Sequence, residues 1–384
     1  MEKLSLYIHI PFCVSKCHYC DFLSGPDTKE NIERYVEILC KEIKIKALKM
    51  KEEEKTVDTV FFGGGTPSIL SSQQLEKIFI TLSQEFTILS EAEISLELNP
   101  GTVTLEKLRD YQKLGINRLS IGLQSADNEE LKKLGRIHTW EEFLETWKNI
   151  QELGFSNINI DLMSALPGQT IESYKNTLEK VLSLKPQHIS AYSLIIEEGT
   201  KFYHWYGDKG QRIEELPTEE EDREMYYLTK NFLKEKGYER YEISNYSLPG
   251  YECKHNIGYW TGKPYLGIGL GASSYWKSER LQNQNRMEDY EQIIGLEENP
   301  IKEREKLCEK EKMEEFMFLG LRRMEGVSEK RFQSNFGVSM KEVYGEILKK
   351  LEKKILVFYD EKKETWALTE KGIDVSNQVF LEFL

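Results

Sequence analysis

The chain has 384 residues, of which 39% are hydrophobic and 30% charged, the proportions of a soluble globular protein, which exclude a disordered or collagen-like chain. A formal net charge of −13 and a pI near 5.3 offer no electrostatic case for a nucleic-acid partner. No apolar run reaches the roughly 18 residues of a membrane span, and the opening MEKLSLYIHI is too short and strand-like for a signal peptide. A cytoplasmic protein without a membrane span is therefore expected, with peripheral membrane contact left open.

Along the first half, short β-rich runs alternate with longer helical patterns. Strands are expected at residues 4–10, 57–62, 94–98, 118–122, 158–163 and 188–194, with helices at 30–48, 71–83, 105–114, 140–153 and 171–184 between them. This repetition predicts an α/β fold with a parallel sheet and right-handed crossovers, a complete or partial (β/α) barrel. Gly115 and Gly154 each follow an amphipathic run and precede a strand, where a helix C-cap belongs.

After residue 200 the pattern changes to a Glu-rich helix at 218–236, an aromatic segment at 238–246 and a Gly-rich apolar stretch at 265–275. Lys- and Glu-rich stretches at 41–55 and 302–312 read as solvated helix faces. A break at 298–300 divides the chain into residues 1–298, the barrel with its extension, and 299–384. The second part is expected to carry helices at 310–323, 328–336 and 340–353 and strands at 355–359 and 365–368, the order of a small winged-helix-like C-terminal domain. With no concentrated basic face, that domain points to packing or a protein partner.

Three of the six cysteines, Cys13, Cys17 and Cys20, fall within eight positions just after the first strand. In a reducing compartment such a cluster reads as a metal site, and soft thiolates at this spacing can wrap an iron-sulfur cluster. Zinc is the alternative, with His9 or His18 as a fourth ligand, although structural zinc sites usually come as two separated pairs and no second CxxC is present. Cys40, Cys253 and Cys308 read as ordinary thiols. Gly63-Gly64-Gly65-Thr66-Pro67 follows the second strand, at the end where parallel barrels build their sites. Glu97, Gln124 and Asp161 also stand at or near strand ends, where polar side chains can bind a ribose or an amino acid or can cap the next helix.

CxxxCxxC with an aromatic residue before the last cysteine resembles the radical S-adenosylmethionine (SAM) superfamily. The resemblance implies three cysteine ligands to a [4Fe-4S] cluster whose fourth iron chelates SAM, the chemistry belonging to the cofactor and its placement to the protein. Tyr7-Ile-His9-Ile-Pro-Phe-Cys13, Gly63 to Pro67, Gly122-Leu-Gln124-Ser, Gly135-Arg136 and Asp161 to Thr170 together resemble the oxygen-independent coproporphyrinogen III oxidase group over nearly the whole chain. Carried over by position, Tyr7, Tyr19, Gly65, Thr66 and Glu97 resemble residues around the cluster-bound SAM. Gln124, Arg136 and Asp161 resemble residues that hold a second SAM, and Ser193 departs from the alanine expected there.

Phe22 stands where the oxidase has a further cysteine, and its long N-terminal extension is missing before Cys13. With Cys20-Asp21-Phe22 and His255-Asn256-Ile-Gly-Tyr259-Trp260, these differences make the chain look like the heme chaperone branch. That branch implies heme binding and delivery to acceptor proteins such as respiratory enzymes, with a homodimer compatible. His255 is the candidate heme ligand, with Tyr259 and Trp260 as an aromatic wall, against a structural reading as a buried polar-aromatic corner. Two enzymatic alternatives remain: coproporphyrinogen III decarboxylation, and a radical methyltransferase or heme-degrading relative.

Overall fold

Two-residue alternation governs the first half of the chain. Strand β1 (Leu4–Ile10) turns Leu4, Leu6, Ile8 and Ile10 into the apolar core and leaves Ser5, Tyr7 and His9 on the opposite face. The computed structural model, which describes residues 3–384, repeats this division in β2 (Thr56–Gly64), β3 (Thr87–Leu98), β4 (Arg118–Gln124), β5 (Ile158–Ser164) and β6 (His188–Ser193). These six strands pair in sequence order, all parallel. Helices α1 (Lys29–Leu48), α2 (Ser72–Glu85), α3 (Leu105–Lys113), α4 (Asn128–Lys133), α5 (Trp140–Glu152) and α6 (Ile171–Ser183) connect them. Thr28, Ser71, Thr104, Asp127, Thr139 and Thr170 accept backbone N–H bonds at the six helix starts. Gly115 and Gly154, just past α3 and α5, take the left-handed φ expected of a C-cap.

The strand face away from the core is polar. Register sets Glu97 beside Ser120, Ser120 beside Asn159 and Asn159 beside His188; Gly122 pairs with Asp161 and Asp161 with Ser190. Hydrophobic burial therefore holds the outer layer, while the inner face is free to carry chemistry.

Downstream, α7 (Lys201–Tyr206) packs with Leu134, Met163 and Leu166 in a small separate cluster. Helix α8 (Glu219–Glu235) leads to β7 (Glu239–Arg240) and β8 (Asn245–Ser247), which extend the sheet antiparallel beyond β6. Helix α9 (Lys254–Trp260) precedes β9 (Tyr265–Ile268), which pairs parallel to the outer edge of β1. β10 (Ser273–Trp276) and β11 (Glu279–Asn283), then α10 (Met287–Gly295) and β12 (Ile301–Lys306), complete a twelve-stranded sheet. Its end strands, β12 and β7, do not pair with each other, so the barrel is partial.

β12, sequence IKEREK, lies beyond the break at 298–300 and corrects the helical reading of residues 302–312. It is a mostly exposed edge strand whose Lys306, Arg304 and Glu303 pair with Glu279, Leu281 and Gln282 of β11. Residues 307–384 form a second core around Met317, Phe332, Leu348 and Val357. They comprise α11 (Glu309–Gly320), β13 (Val327–Ser328), α12 (Glu329–Phe336), α13 (Met340–Lys353), β14 (Val357–Asp360), β15 (Thr365–Leu368), α14 (Glu370–Asp374) and α15 (Ser376–Leu381). The three-stranded sheet runs β13-β15-β14, and the helix-helix-helix-hairpin order is the expected one with two short helices added.

Candidate functional site

The loop between β1 and α1 carries Cys13, Cys17 and Cys20 to the C-terminal edge of the parallel strands. Backbone bonds fix it: Cys13 N donates to Gly25 O at 2.9 Å, Thr66 N to Phe12 O at 2.7 Å and His18 N to Leu134 O at 2.9 Å. All three thiols are free and partly buried. Burial pushes the Cys20 thiol up, opposed by the Phe22 backbone N–H, with Cys17 and Cys13 among the neighbouring groups that raise it. Around them, Thr66 Oγ1 donates to Cys13 Sγ and Arg136 Nη1 to Cys17 Sγ, both at 3.5 Å. A Cβ on Gly65 would stand 2.5 Å from Phe12 O and 2.9 Å from Cys13 Sγ, so only glycine lets the β2 turn approach this loop.

The histidines weighed as zinc ligands are engaged elsewhere. His9 Nε2 is 3.1 Å from Leu23 O and its Nδ1 3.1 Å from the Tyr7 hydroxyl; His18 Nδ1 is 3.1 Å from Lys133 O. Among the described residues, no three His, Cys, Asp or Glu side chains converge as a single metal ion needs. Three thiols on one loop, with hydrogen-bond donors aimed at two sulfurs and a glycine cradle beneath, fit the thiolate-rich environment of an iron-sulfur cluster.

A hydrogen-bonded chain runs from this loop along the strand ends. Asn99 Nδ2 donates to Thr66 Oγ1 at 2.9 Å, and Arg136 Nη2 donates to Asn99 Oδ1 and to Gly122 O, each at 2.6 Å. Tyr19 is close enough to Arg136 to feel its charge, but burial dominates and raises the phenol. Gln124 adopts a left-handed φ of 71° where the β4–β5 register shifts, and its buried Oε1 has no partner among the described residues. Strained backbone and an orphaned acceptor at a strand end are characteristic of a site that awaits a ligand.

Below lies a polar cavity of about 180 Å³, lined by Tyr7, Glu97, Arg118, Asp161, His255 and Tyr259 among others. Glu97 accepts the Gly64 N–H at 3.1 Å, and burial, reinforced by Asp161, raises its carboxyl to about 8. Asp161 accepts from Asn159 Nδ2 at 2.7 Å and is also raised by burial. Tyr7 is raised by burial and then by Glu97. Two carboxyl groups in the cavity and an orphaned amide oxygen at the end of β4 fit the ammonium, sulfonium and hydroxyl groups of SAM. Ser193 donates to Asp222 at 2.6 Å, a bond that an alanine could not make.

His255 sits deeper than a surface ligand would. It is 1% exposed, stacks on Phe61 at 5.1 Å, and has both ring nitrogens occupied: Nδ1 lies 2.9 Å from Thr59 Oγ1 and Nε2 lies 2.8 Å from the Tyr259 hydroxyl. Its backbone N–H and that of Lys254 donate to Glu93, which fixes the start of α9. Burial, then Lys263 and Arg118, lower its imidazole to about 3, so it is neutral. This geometry matches the buried polar-aromatic corner, and an axial ligand would have to break one of the two ring bonds. Sequence reasoning missed Asn99 and Arg118; for Arg118 the signal is a charged residue at an inward position of the alternating strand RLSIGLQ.

The open parallel sheet with a three-cysteine loop at its C-terminal edge is the architecture of a radical SAM protein. The model of the Radical SAM superfamily matches residues 7–181, and that of the HemN C-terminal domain matches residues 307–375. The chain is 38% identical over 380 residues to "Heme chaperone HemW" of Lactococcus lactis, covering 99% of this chain and 97% of that protein. The protein of that name from Bacillus subtilis is 37% identical over 381 residues, covering 99% of both. The chain belongs to this radical SAM family of heme chaperones. The solved structure "Coproporphyrinogen III oxidase (HemN) from Escherichia coli is a Radical SAM enzyme" shares the fold, with a TM-score of 0.86 at 24% identity, covering 100% of this chain and 90% of that one.

Proposed function

We propose that the protein is a heme chaperone that carries a [4Fe-4S] cluster on Cys13, Cys17 and Cys20 and SAM beside it, and hands heme to acceptor proteins such as respiratory enzymes in the cytoplasm. The observation that supports the cluster and SAM is three free thiols on one loop at the C-terminal edge of the parallel sheet, packed on the Gly65 cradle with the Glu97–Asp161 cavity below. Heme and its delivery rest on the name of the relatives, which align from end to end. When bound, the cluster and SAM supply one-electron cleavage of the sulfonium. The chain's own part is to place them: Thr66 and Arg136 donate to sulfurs, Glu97 and Asp161 present carboxyl oxygens, and Gln124 offers an unpaired acceptor. Tyr7 and Tyr19 wall the site with buried phenols. Phe22, 61% exposed, puts an apolar side chain where the oxidase resemblance calls for a thiol, which favours the chaperone over the decarboxylase.

The test is anaerobic reconstitution of the cluster, followed by titration of heme and of coproporphyrinogen III on the same sample. Saturable heme binding without loss of carboxyl groups from coproporphyrinogen is expected; repeated turnover of coproporphyrinogen III would make the protein an oxidase instead.

A further inference from the structure

The polar cavity inside the sheet, at about 180 Å³, is far below the roughly 300–1,000 Å³ of sites that take ligands of drug size and above. On the far side of α9, a cleft of about 680 Å³ lies between the α9–β9 turn and the C-terminal helices α11 and α12. Its walls carry Trp260, Tyr265, Tyr275, Phe316 and Phe336, a concentration of ring surface suited to a flat π-system. Arg322, from outside the cleft, lies 4.4 Å over the Trp260 ring, whose buried Nε1 has no partner among the described residues.

The charge of the cleft runs against that of the chain. Lys263, Arg280, Lys312, Arg323 and Arg331 line it, against the acids Glu309, Glu315 and Glu325. Five cations over three carboxylates leave an excess of two, in a protein of net charge −13. Arg280 is held by Glu315 at 2.7 Å, Lys312 by Glu309 at 2.6 Å and Arg323 by Glu325; Lys263 pairs with Asp58. Arg331 makes no ion pair among the described residues. It is exposed, donates to Thr261 O at 3.2 Å across the cleft and lies 5.9 Å over Phe316.

We propose that this cleft is the heme seat, holding the macrocycle between its aromatic walls and the two propionates on its basic side chains, Arg331 foremost. The inference rests on the heme-chaperone reading and gives that reading a place. No side chain lining the cleft is a histidine, cysteine or methionine, and of its tyrosines Tyr259 is bonded to His255, so we place recognition in the ring and its carboxylates. His255 reaches the cleft only through Tyr259, which lines both cavities and is bonded to it.

The full-length, cluster-reconstituted protein is titrated with heme, iron-free protoporphyrin and heme dimethyl ester, beside Arg331→Glu and Trp260→Leu. Protoporphyrin should bind within a few-fold of heme, and the ester roughly a hundredfold more weakly, since it lacks both charge-assisted contacts. Arg331→Glu, an exposed change that leaves the core intact, should weaken heme about tenfold or more with cluster content unchanged. Wild-type heme binding with the ester and both variants binding as tightly would overturn the cleft and leave the chaperone standing. Failure of the wild type to bind any of the porphyrins would bring down the chaperone reading itself.

Discussion

Glu97→Gln isolates the electrostatic character of the interior. Glu97 titrates at about 8 in the folded chain against an ordinary value of 4.5, because burial beside Asp161 disfavours its charge. Between those two values the folded state holds a proton that the unfolded state has released, so stability falls as pH rises from 4.5 to 8 and stays low above. At about 1.36 kcal/mol per unit, the full difference is about 5 kcal/mol, of which about 2 kcal/mol is already lost by pH 6. A glutamine keeps an acceptor for the Gly64 N–H and cannot ionise. The variant should therefore gain about 3 kcal/mol on wild type between pH 6 and pH 9. Groups remote from Glu97 cancel in the difference, leaving its own titration and its coupling to Asp161 and Tyr7. Thermal melts of the cluster-free proteins under reductant at both pH values measure it. Parallel wild-type and variant profiles would mean that Glu97 is hydrated and ionised, and the account of a desolvated interior would be wrong.

Gly65→Ala should leave the far-UV circular dichroism unchanged but cut iron and sulfide incorporation sharply, because the new methyl group meets Phe12 O and Cys13 Sγ; normal cluster content would show that the loop has room. Arg136→Met removes a cation bonded to Cys17 Sγ, so the reconstituted cluster should show a more negative midpoint potential in a redox titration; an unchanged or higher potential would contradict this placement. His255→Ala breaks bonds to Thr59 and Tyr259 and leaves a buried hole, at a cost of about 2–4 kcal/mol. With its imidazole lowered to about 3 against an ordinary 6.5, only the unfolded chain protonates this residue below pH 6.5, so the loss should be constant from pH 7 to 9 and smaller by about 2 kcal/mol at pH 5; lost heme affinity with unchanged stability would instead identify His255 as a ligand.

Much of this molecule is legible from its sequence because its strands obey a strict period. In β1, β3, β4 and β5 apolar residues alternate with polar ones, so each strand and its orientation can be read directly, as can the capped helices between them. The same alternation places Glu97 and Asp161 inward. What the sequence hides is non-local. IKEREK has the composition of a solvated helix and becomes a strand only because β11 offers it an edge. β3 begins at Thr87, well before the expected residue 94, since the TILSE stretch is partly exposed and carries no apolar run. Asn99 gains meaning only when Thr66 and Arg136 meet it in space. The depth of His255 could not be read from HNxxYW, because α9 is a single short helix whose orientation is set by Glu93, 162 residues away in the chain.

The proposed chaperone function requires heme to pass from this protein to another. Its most direct test mixes heme-loaded protein with a heme-free respiratory enzyme in the presence of excess apo-globin as a scavenger, following the acceptor's heme spectrum over time. The acceptor should fill faster than from free heme while the globin captures little; capture by the globin first, with an empty acceptor, would show that the protein does not deliver heme.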